Sequence, residues 1–390
     1  MKRLILISST LTTLALGATA TPQAQNKTGG LSLSGVFESA VSANVADNNA
    51  NTLSYGAEEY ANIRMQSRMG DNATFFGAVN LIAAAGDYAA RAEAMGANID
   101  AGENYAAAIE LERLYFRLKT EKTNFDGGLM RLPFGYSTIW GPLDFLNPKN
   151  PLKPDARPRA VLGGGVSWFP AEELKLQGFA VTGRDPLAGN SGIAGISADK
   201  HWEKLSVQTL YSFERSNNFP GTETGPWTHR AGLSLKADLK AGIVMEMLYL
   251  HHNDIKHKPD GLRFSAGLDY SLFGSKLIIL TEYMHSGQAA AAAAIRSEGG
   301  FGGSKNNLYA GLTWRFNDFT NAGAALISGD HTDDALITFN HELFQGVSLN
   351  IMAQIPIRRP ETEYTHNAND EPEPPAGTLF YLETKLKFRF

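Results

Sequence analysis

Along the last segment of the chain, apolar and polar side chains alternate with a period of two. Phe380, Leu382, Thr384, Leu386, Phe388 and Phe390 fall on one face, and Tyr381, Glu383, Lys385, Lys387 and Arg389 on the other. Such a period puts successive side chains on opposite faces of a β-strand. The same split recurs upstream: Leu308, Ala310, Leu312, Trp314 and Phe316 oppose Asn307, Tyr309, Gly311, Thr313 and Arg315. Eighteen segments carry it, at about 31–41, 53–65, 73–84, 110–121, 124–133, 160–169, 173–184, 192–199, 204–215, 227–238, 241–252, 261–272, 275–285, 306–316, 320–328, 335–343, 346–357 and 378–390.

The connections between these segments alternate as well. Short ones such as Gly70-Asp71-Asn72, Lys122-Thr123, Leu239-Lys240 and Phe273-Gly274 fall between long ones at 85–109, 134–159, 216–226, 253–260, 286–305 and 358–377. Tight turns on one rim and long loops on the other predict an all-β fold, a transmembrane antiparallel up-and-down barrel whose short turns face the periplasm. The segment count predicts sixteen to eighteen strands, with eighteen favoured. A soluble sandwich or propeller would also bury one face of each strand, but gives no reason for the alternating loop lengths. Closure follows from the bilayer, where an open sheet edge would leave backbone groups unpaired.

The N-terminus agrees with export. Lys2 and Arg3 precede an apolar stretch, Leu4 to Leu16, too short to span a bilayer, and Ala18-Thr19-Ala20 has the small-x-small form of a cleavage site. Residues 1–20 therefore read as a signal peptide and 21–390 as a single barrel. Zero cysteines rule out disulfide frameworks, thiolate zinc sites and cysteine nucleophiles. With 35 basic against 40 acidic residues there is no basic footprint for nucleic acid. No apolar run of about 18 residues follows the start, which excludes a membrane-spanning helix.

The terminal strand ending in Phe390 resembles the C-terminal assembly signal of Gram-negative outer-membrane proteins. That resemblance implies that Phe388 and Phe390 are read by the barrel-assembly machinery. Gly128-Leu129-Met130-Arg131-Leu132-Pro133-Phe134-Gly135 is similar to the strand that precedes the third loop in phosphate-selective-type porins. Trp140-Gly141-Pro142-Leu143-Asp144-Phe145-Leu146-Asn147-Pro148 looks more like other substrate-specific porins. The resemblance implies a constriction loop at 134–159, folded into the barrel, with Trp140, Asp144, Lys149, Lys153 and Arg157 in it. A stiff external loop is the alternative. It also implies outer-membrane lipid and lipopolysaccharide as surroundings, small solutes as cargo and a homotrimer as a possible assembly.

If the greasy face meets lipid, Arg64, Arg113, Arg117, Arg230, Arg263 and Arg315 point inward, joined by Glu38, Glu246, Asp269, Glu282 and Glu342. Rings of charge select ions by sign. The arginines, with the basic end of loop 134–159, suggest a leaning toward anions.

Catalytic readings are poor. His285 and Ser286 adjoin, but neighbours on a strand face opposite ways and cannot act as base and nucleophile. Gly329-Asp330-His331-Thr332-Asp333-Asp334 reads as solvated turn chemistry. His251, His252 and His257 do not have the spacing of a rigid metal face, and no cofactor fingerprint is present. The expectation is a passive channel for small hydrophilic solutes, not an enzyme, with no cofactor or metal. The competing expectation is a structural or adhesive barrel with a blocked interior. Deleting Phe390 should lower the amount of protein in the outer membrane and leave precursor in the periplasm, as read by cell fractionation.

Overall fold

In the computed structural model the structure describes residues 30–47, 52–89, 97–102, 104–147, 160–182, 191–216, 227–252, 261–287, 304–330, 333–358 and 377–390. The signal-peptide segment 1–20 and Lys149, Lys153 and Arg157 lie outside the described residues.

The alternating segments form strands, and the described residues hold nineteen strands in all. They are β1 (Leu31–Asp47), β2 (Thr52–Met69), β3 (Ala73–Gly86), β4 (Ala97–Gly102), β5 (Tyr105–Lys119), β6 (Thr123–Met130) and β7 (Val161–Ala171). Then follow β8 (Leu174–Thr182), β9 (Ser191–His201), β10 (Leu205–Ser216), β11 (Trp227–Asp238), β12 (Gly242–His252) and β13 (Gly261–Leu272). The last are β14 (Leu277–Ser286), β15 (Asn306–Arg315), β16 (Thr320–Gly329), β17 (Asp333–Phe344), β18 (Val347–Arg358) and β19 (Gly377–Arg389). Eighteen of them, all but β4, pair antiparallel in succession, and β19 returns to β1, so the sheet closes into an eighteen-stranded barrel. Each of the eighteen expected segments is one of these strands, with ends moved by a few residues.

The seam shows how sequence alternation sorts the two faces. Phe37 and Phe388 meet outside, ring centroids 5.9 Å apart, while Glu38 and Lys387 pair inside at 2.6 Å. Gly35 and Phe390 exchange two backbone hydrogen bonds of 2.9 and 3.1 Å. The Phe390 ring occupies the space a Cβ on residue 35 would need, so glycine is required there.

The sequence pattern did not announce β4, which lies within a stretch read as the loop 85–109. It has a mechanical reason to exist. Along one edge of β5, β6 pairs only with Leu114–Lys119, because β6 ends at Met130 where the chain leaves the wall. The exposed edge above, Tyr105–Ile109, is taken up by β4. Backbone groups at a sheet edge need partners, and β4 supplies them.

β5 also changes phase. Its pairing with β3 shifts between Val79 and Ala78, leaving Glu112 as an extra residue between Leu111 and Arg113. A bulge lets two successive residues face one way. Glu112 and Arg113 therefore both point inward, between the outward Leu111 and Leu114.

Outside, large apolar residues such as Leu114, Val166, Ile196, Met247, Leu268 and Ile337 are exposed. Trp168, Trp314 and Phe390 ring the short-turn end, and Trp227 and Tyr249 the long-loop end, as aromatic girdles do. Inside, serines, asparagines and charged residues dominate the buried polar set. Leu312 lies in mid-strand on the outer face and is half exposed, paired with Ile279 and Ala324. Leu312→Arg should destabilise the inserted barrel by about 2–4 kcal/mol. Urea unfolding in lipid vesicles would measure it, and parental stability would reverse the assignment of faces on β15.

Candidate functional site in the barrel interior

After Met130 the chain turns off the wall into the interior. Residues 131–147 form a closed excursion: the Asn147 side chain returns to accept a hydrogen bond from the Leu132 amide at 3.0 Å. The bends are made at Gly135 (φ 82°) and Gly141 (φ 45°), a region that suits glycine. At Gly135 a Cβ would also overlap the Glu246 carboxylate.

Two carboxylates grip this segment by its backbone. Glu246 on β12 accepts from the amides of Tyr136, Ser137 (2.7 Å) and Leu143 (3.2 Å), and from the Ser234 hydroxyl (3.2 Å). Glu282 on β14 accepts from Thr138 (3.1 Å), Ile139 (3.1 Å) and Trp140 (2.7 Å). Their relative exposures are 1% and 2%. Among the described residues no cation pairs with either. Successive amides converging on an oxygen make an anion cradle.

Side chains complete the docking. Leu132, Phe134, Leu143, Phe145 and Leu146 pack on Phe179, Val181, Ile193, Leu210, Leu248 and Leu250, all on the inner wall of β8 to β12. Ile139 and Trp140 reach Met284 and Ile327 on β14 and β16. The Trp140 indole donates to the Glu282 carbonyl at 3.1 Å. Tyr136 donates its hydroxyl to Asp199 on β9, and burial, with that hydrogen bond second, pushes the phenol well above its ordinary range. The segment thus covers the interior from β8 round to β16.

These contacts correct part of the sequence reading. Glu246 and Glu282 were expected to line an aqueous space, and both are instead sealed beneath the loop they hold. Asp144 and Trp140, within the expected constriction loop, are buried as well. Arg230 is nearly buried, ion-paired with Glu214 and stacked over the Phe145 ring at 4.7 Å. Arg263, also nearly buried, lies in the same inner sector. Arg117 is partly exposed but held by Asp126 directly across the hairpin, at 2.6 and 3.0 Å. Arg315 and Asp269 face inward at the short-turn rim, and Glu342 faces inward on β17. His285 lies on the outer face against Asn306, and Ser286 points inward.

Sequence reasoning missed Arg131 and the row it completes. Arg64 on β2 and Arg113 on β5 both pair with Ala78, so they lie on one level of the inner wall. Arg131 joins them at the root of the in-folded segment, 2.9 Å from Glu112, which also lies 3.4 Å from Arg113. All three remain partly exposed. The bulge that turns Glu112 inward could have been read from the phase change between Leu111 and Leu114.

A second segment reaches inward from the opposite wall. Tyr88, after β3, is 4% exposed and packs over Ala40, Ile82, Ala84 and Ala106. Its hydroxyl donates to Glu383 on β19, and burial with that carboxylate raises its pKa far above the ordinary tyrosine value.

No protein-family model matches the chain, and no curated protein matches it in sequence. Solved structures do match in shape. OccAB4 of Acinetobacter baumannii aligns over 95% of this chain and 100% of its own, at 11% identity and TM-score 0.57. OccK7 (OpdD) of Pseudomonas aeruginosa aligns over 93% and 98%, at 11% identity and TM-score 0.55. OmpF of Salmonella typhi, in complex with daunomycin, aligns over 92% and 97%, at 12% identity and TM-score 0.50. The shared feature is the fold, that of the Gram-negative outer-membrane porins.

Glu282→Ala should loosen the tip of the in-folded segment. Hydrogen bonds to a charged group are worth about 1.5–3 kcal/mol each, so amide exchange at Thr138, Ile139 and Trp140 should rise by about tenfold or more while the strand amides stay protected. Unchanged exchange at those three amides would show that apolar packing alone holds the tip.

Proposed function

We propose that this protein is a passive diffusion channel for small hydrophilic solutes or ions in the outer membrane of a Gram-negative bacterium. The observation that carries the proposal is the anchored segment 131–147: it is fixed along one side of a polar barrel interior, at the level of an arginine row. Barrels of 16–18 strands enclose an aqueous channel, whereas eight-stranded ones are filled by side chains. Passage through such a space needs no cofactor and no energy source. The likeness in fold to porins favours a channel over an enzyme.

On this reading segment 131–147 is the constriction, and the solute passes between it and the wall carrying Arg64 and Arg113. Arg113 and Arg131 share the buried Glu112 there, and Arg64, which donates to Asn62, lies on the same level, so three guanidinium groups stand around one carboxylate. That supports a preference for anions, screened over about 8–10 Å at physiological salt. The same reading takes residues 1–20 as a cleaved export signal, the C-terminal strand as the substrate of the barrel-assembly machinery and a homotrimer as the assembly, which native-size measurement would test.

Planar bilayers test the channel directly. Discrete conductance steps are expected, with anions favoured over cations. Replacing Arg113 and Arg131 by glutamine should shift the permeability ratio toward cations by about twofold or more, since the charges act within a screening length. A barrel that inserts but never conducts would point to a structural role. A ratio unmoved by the substitutions would remove the anion preference and leave the channel.

A further inference from the structure

His285 and Ser286 face opposite ways because they are neighbours on one strand. Residues paired across a hairpin face the same way, and the hairpin of β9 and β10 pairs a histidine with a serine. Its turn is tight, the Trp202 amide donating to the Leu205 carbonyl at 2.7 Å, and His201 lies directly across from Ser206 on the inner face. Asp199 lies two residues before His201, on the same face. The Ser206 hydroxyl is 2.9 Å from His201 Nδ1, and His201 Nε2 is 3.1 Å from Asp199 Oδ1. One neutral tautomer satisfies both contacts: Nε2–H donates to Asp199 and Nδ1 accepts from Ser206.

The acid of this row is fixed independently. Asp199 is buried, and it also accepts from the Tyr136 hydroxyl of the in-folded segment and from Gln208 Nε2 at 3.3 Å. The Tyr136 ring meets the imidazole edge-on, with centroids 6.4 Å apart. His201 is thereby oriented from three sides, while half of its side chain is open to the short-turn mouth. Lys236 on β11 lies directly across from Ser206 on its other side. Its ammonium, 3.2 Å from Asp238, is partly exposed. Lys175 and Gln177 on β8 continue the same inner surface beside Asp199. Nucleophile, base and orienting carboxylate are thus in hydrogen-bond contact in that order, with a cation beside the nucleophile.

We propose that Ser206, His201 and Asp199 give the barrel a second activity alongside the channel, the hydrolysis of small carboxylic esters at its short-turn mouth. Ser206 and His201 are the catalytic residues and Asp199 is a positioning residue. Ser206 Oγ bonds to the ester carbonyl carbon while its proton passes to His201 Nδ1. The oxyanion that forms is stabilised by the Lys236 ammonium. Its collapse breaks the bond to the alkoxy oxygen, which leaves as the alcohol with the proton from His201. Water then attacks the acyl-serine, giving its proton to His201, and Ser206 Oγ recovers that proton as the carboxylic acid departs. The surroundings are polar, so the acyl group is short and hydrophilic. The inference does not rest on conduction, because the mouth opens directly to the compartment on the short-turn side.

Purified, folded barrel would be treated with a fluorophosphonate, whose phosphorus an activated serine attacks with loss of fluoride, and adducts would be mapped by mass spectrometry. An adduct is expected at Ser206, and His201→Ala should slow its formation by about hundredfold or more, the usual worth of a general base. Turnover of p-nitrophenyl acetate should fall to the uncatalysed rate in Ser206→Ala. In Asp199→Asn, kcat should fall by about tenfold or more while KM stays within about twofold, the split expected when only the base has lost its orientation. Because the chain has no cysteine, Ser206→Cys supplies a single thiol. Iodoacetamide should alkylate it about tenfold faster with His201 in place than in combination with His201→Ala, since a neighbouring base enlarges the thiolate fraction. Absence of an adduct at Ser206 in the parent would overturn the proposal. So would adduct formation and thiol alkylation that are both indifferent to His201. Conductance of Ser206→Ala reads the channel separately.

Discussion

Two buried carboxylates organise the interior of this barrel. Glu246 and Glu282 lie on alternate strands and take six backbone amides from a stretch of eight residues. Isolated charges are expensive to bury, and the cost is met only when hydrogen bonds surround them. The segment 131–147 needs those acceptors equally, because its amides have no strand to pair with and are shielded from water. Each side resolves the other's deficit. The arrangement fixes position as well as energy, since a carboxylate can hold converging amides only where they lie.

Around that anchor the barrel divides by function of its faces. The inner wall of β8 to β12 is covered by the in-folded segment and mixes apolar groups such as Leu210 and Leu248 with buried polar ones such as Gln208 and Ser234, whereas the inner wall of β1 to β5 and β19 carries paired charges and amides. Arg64 and Arg113 lie on the second wall, and Arg131, just past the point where the chain leaves β6, is joined to Arg113 through Glu112. Because the departure shortens β6, the fold needs β4 to complete the edge of β5. The in-folded segment, the extra strand and the arginine row are thus consequences of one decision, made at Met130, to leave the wall.

Much of this was legible in the sequence, and the unreadable part has a pattern. Alternation located all eighteen wall strands because the lipid-facing half of each must be apolar, whatever lies inside. It passed over Ala97–Gly102, a six-residue run that alternates but is shorter than the wall segments and lies within a stretch read as a loop. The inward direction of Glu246 and Glu282 was readable, but their burial was not, since the amides that cover them lie more than a hundred residues away. One clue was available: Val244, Leu248 and Leu250 put apolar groups on the inner face of β12 as well as the outer, which a water-filled interior would not favour. The pairing of Arg117 with Asp126 needed the hairpin register, which the turn at Thr120–Thr123 sets.

The mutual hydrogen bonds of Gly35 and Phe390 carry a kinetic meaning. They join the first strand to the last, so the contact that abolishes the final sheet edge has almost the greatest separation along the chain that this sequence permits. Contacts of that kind are slow to form, since loop entropy is lost before they reward it. A ribosome releasing this chain from its N-terminus cannot produce a closed ring until the last residue is out. Up to that moment β1 offers an unsatisfied edge to any other strand.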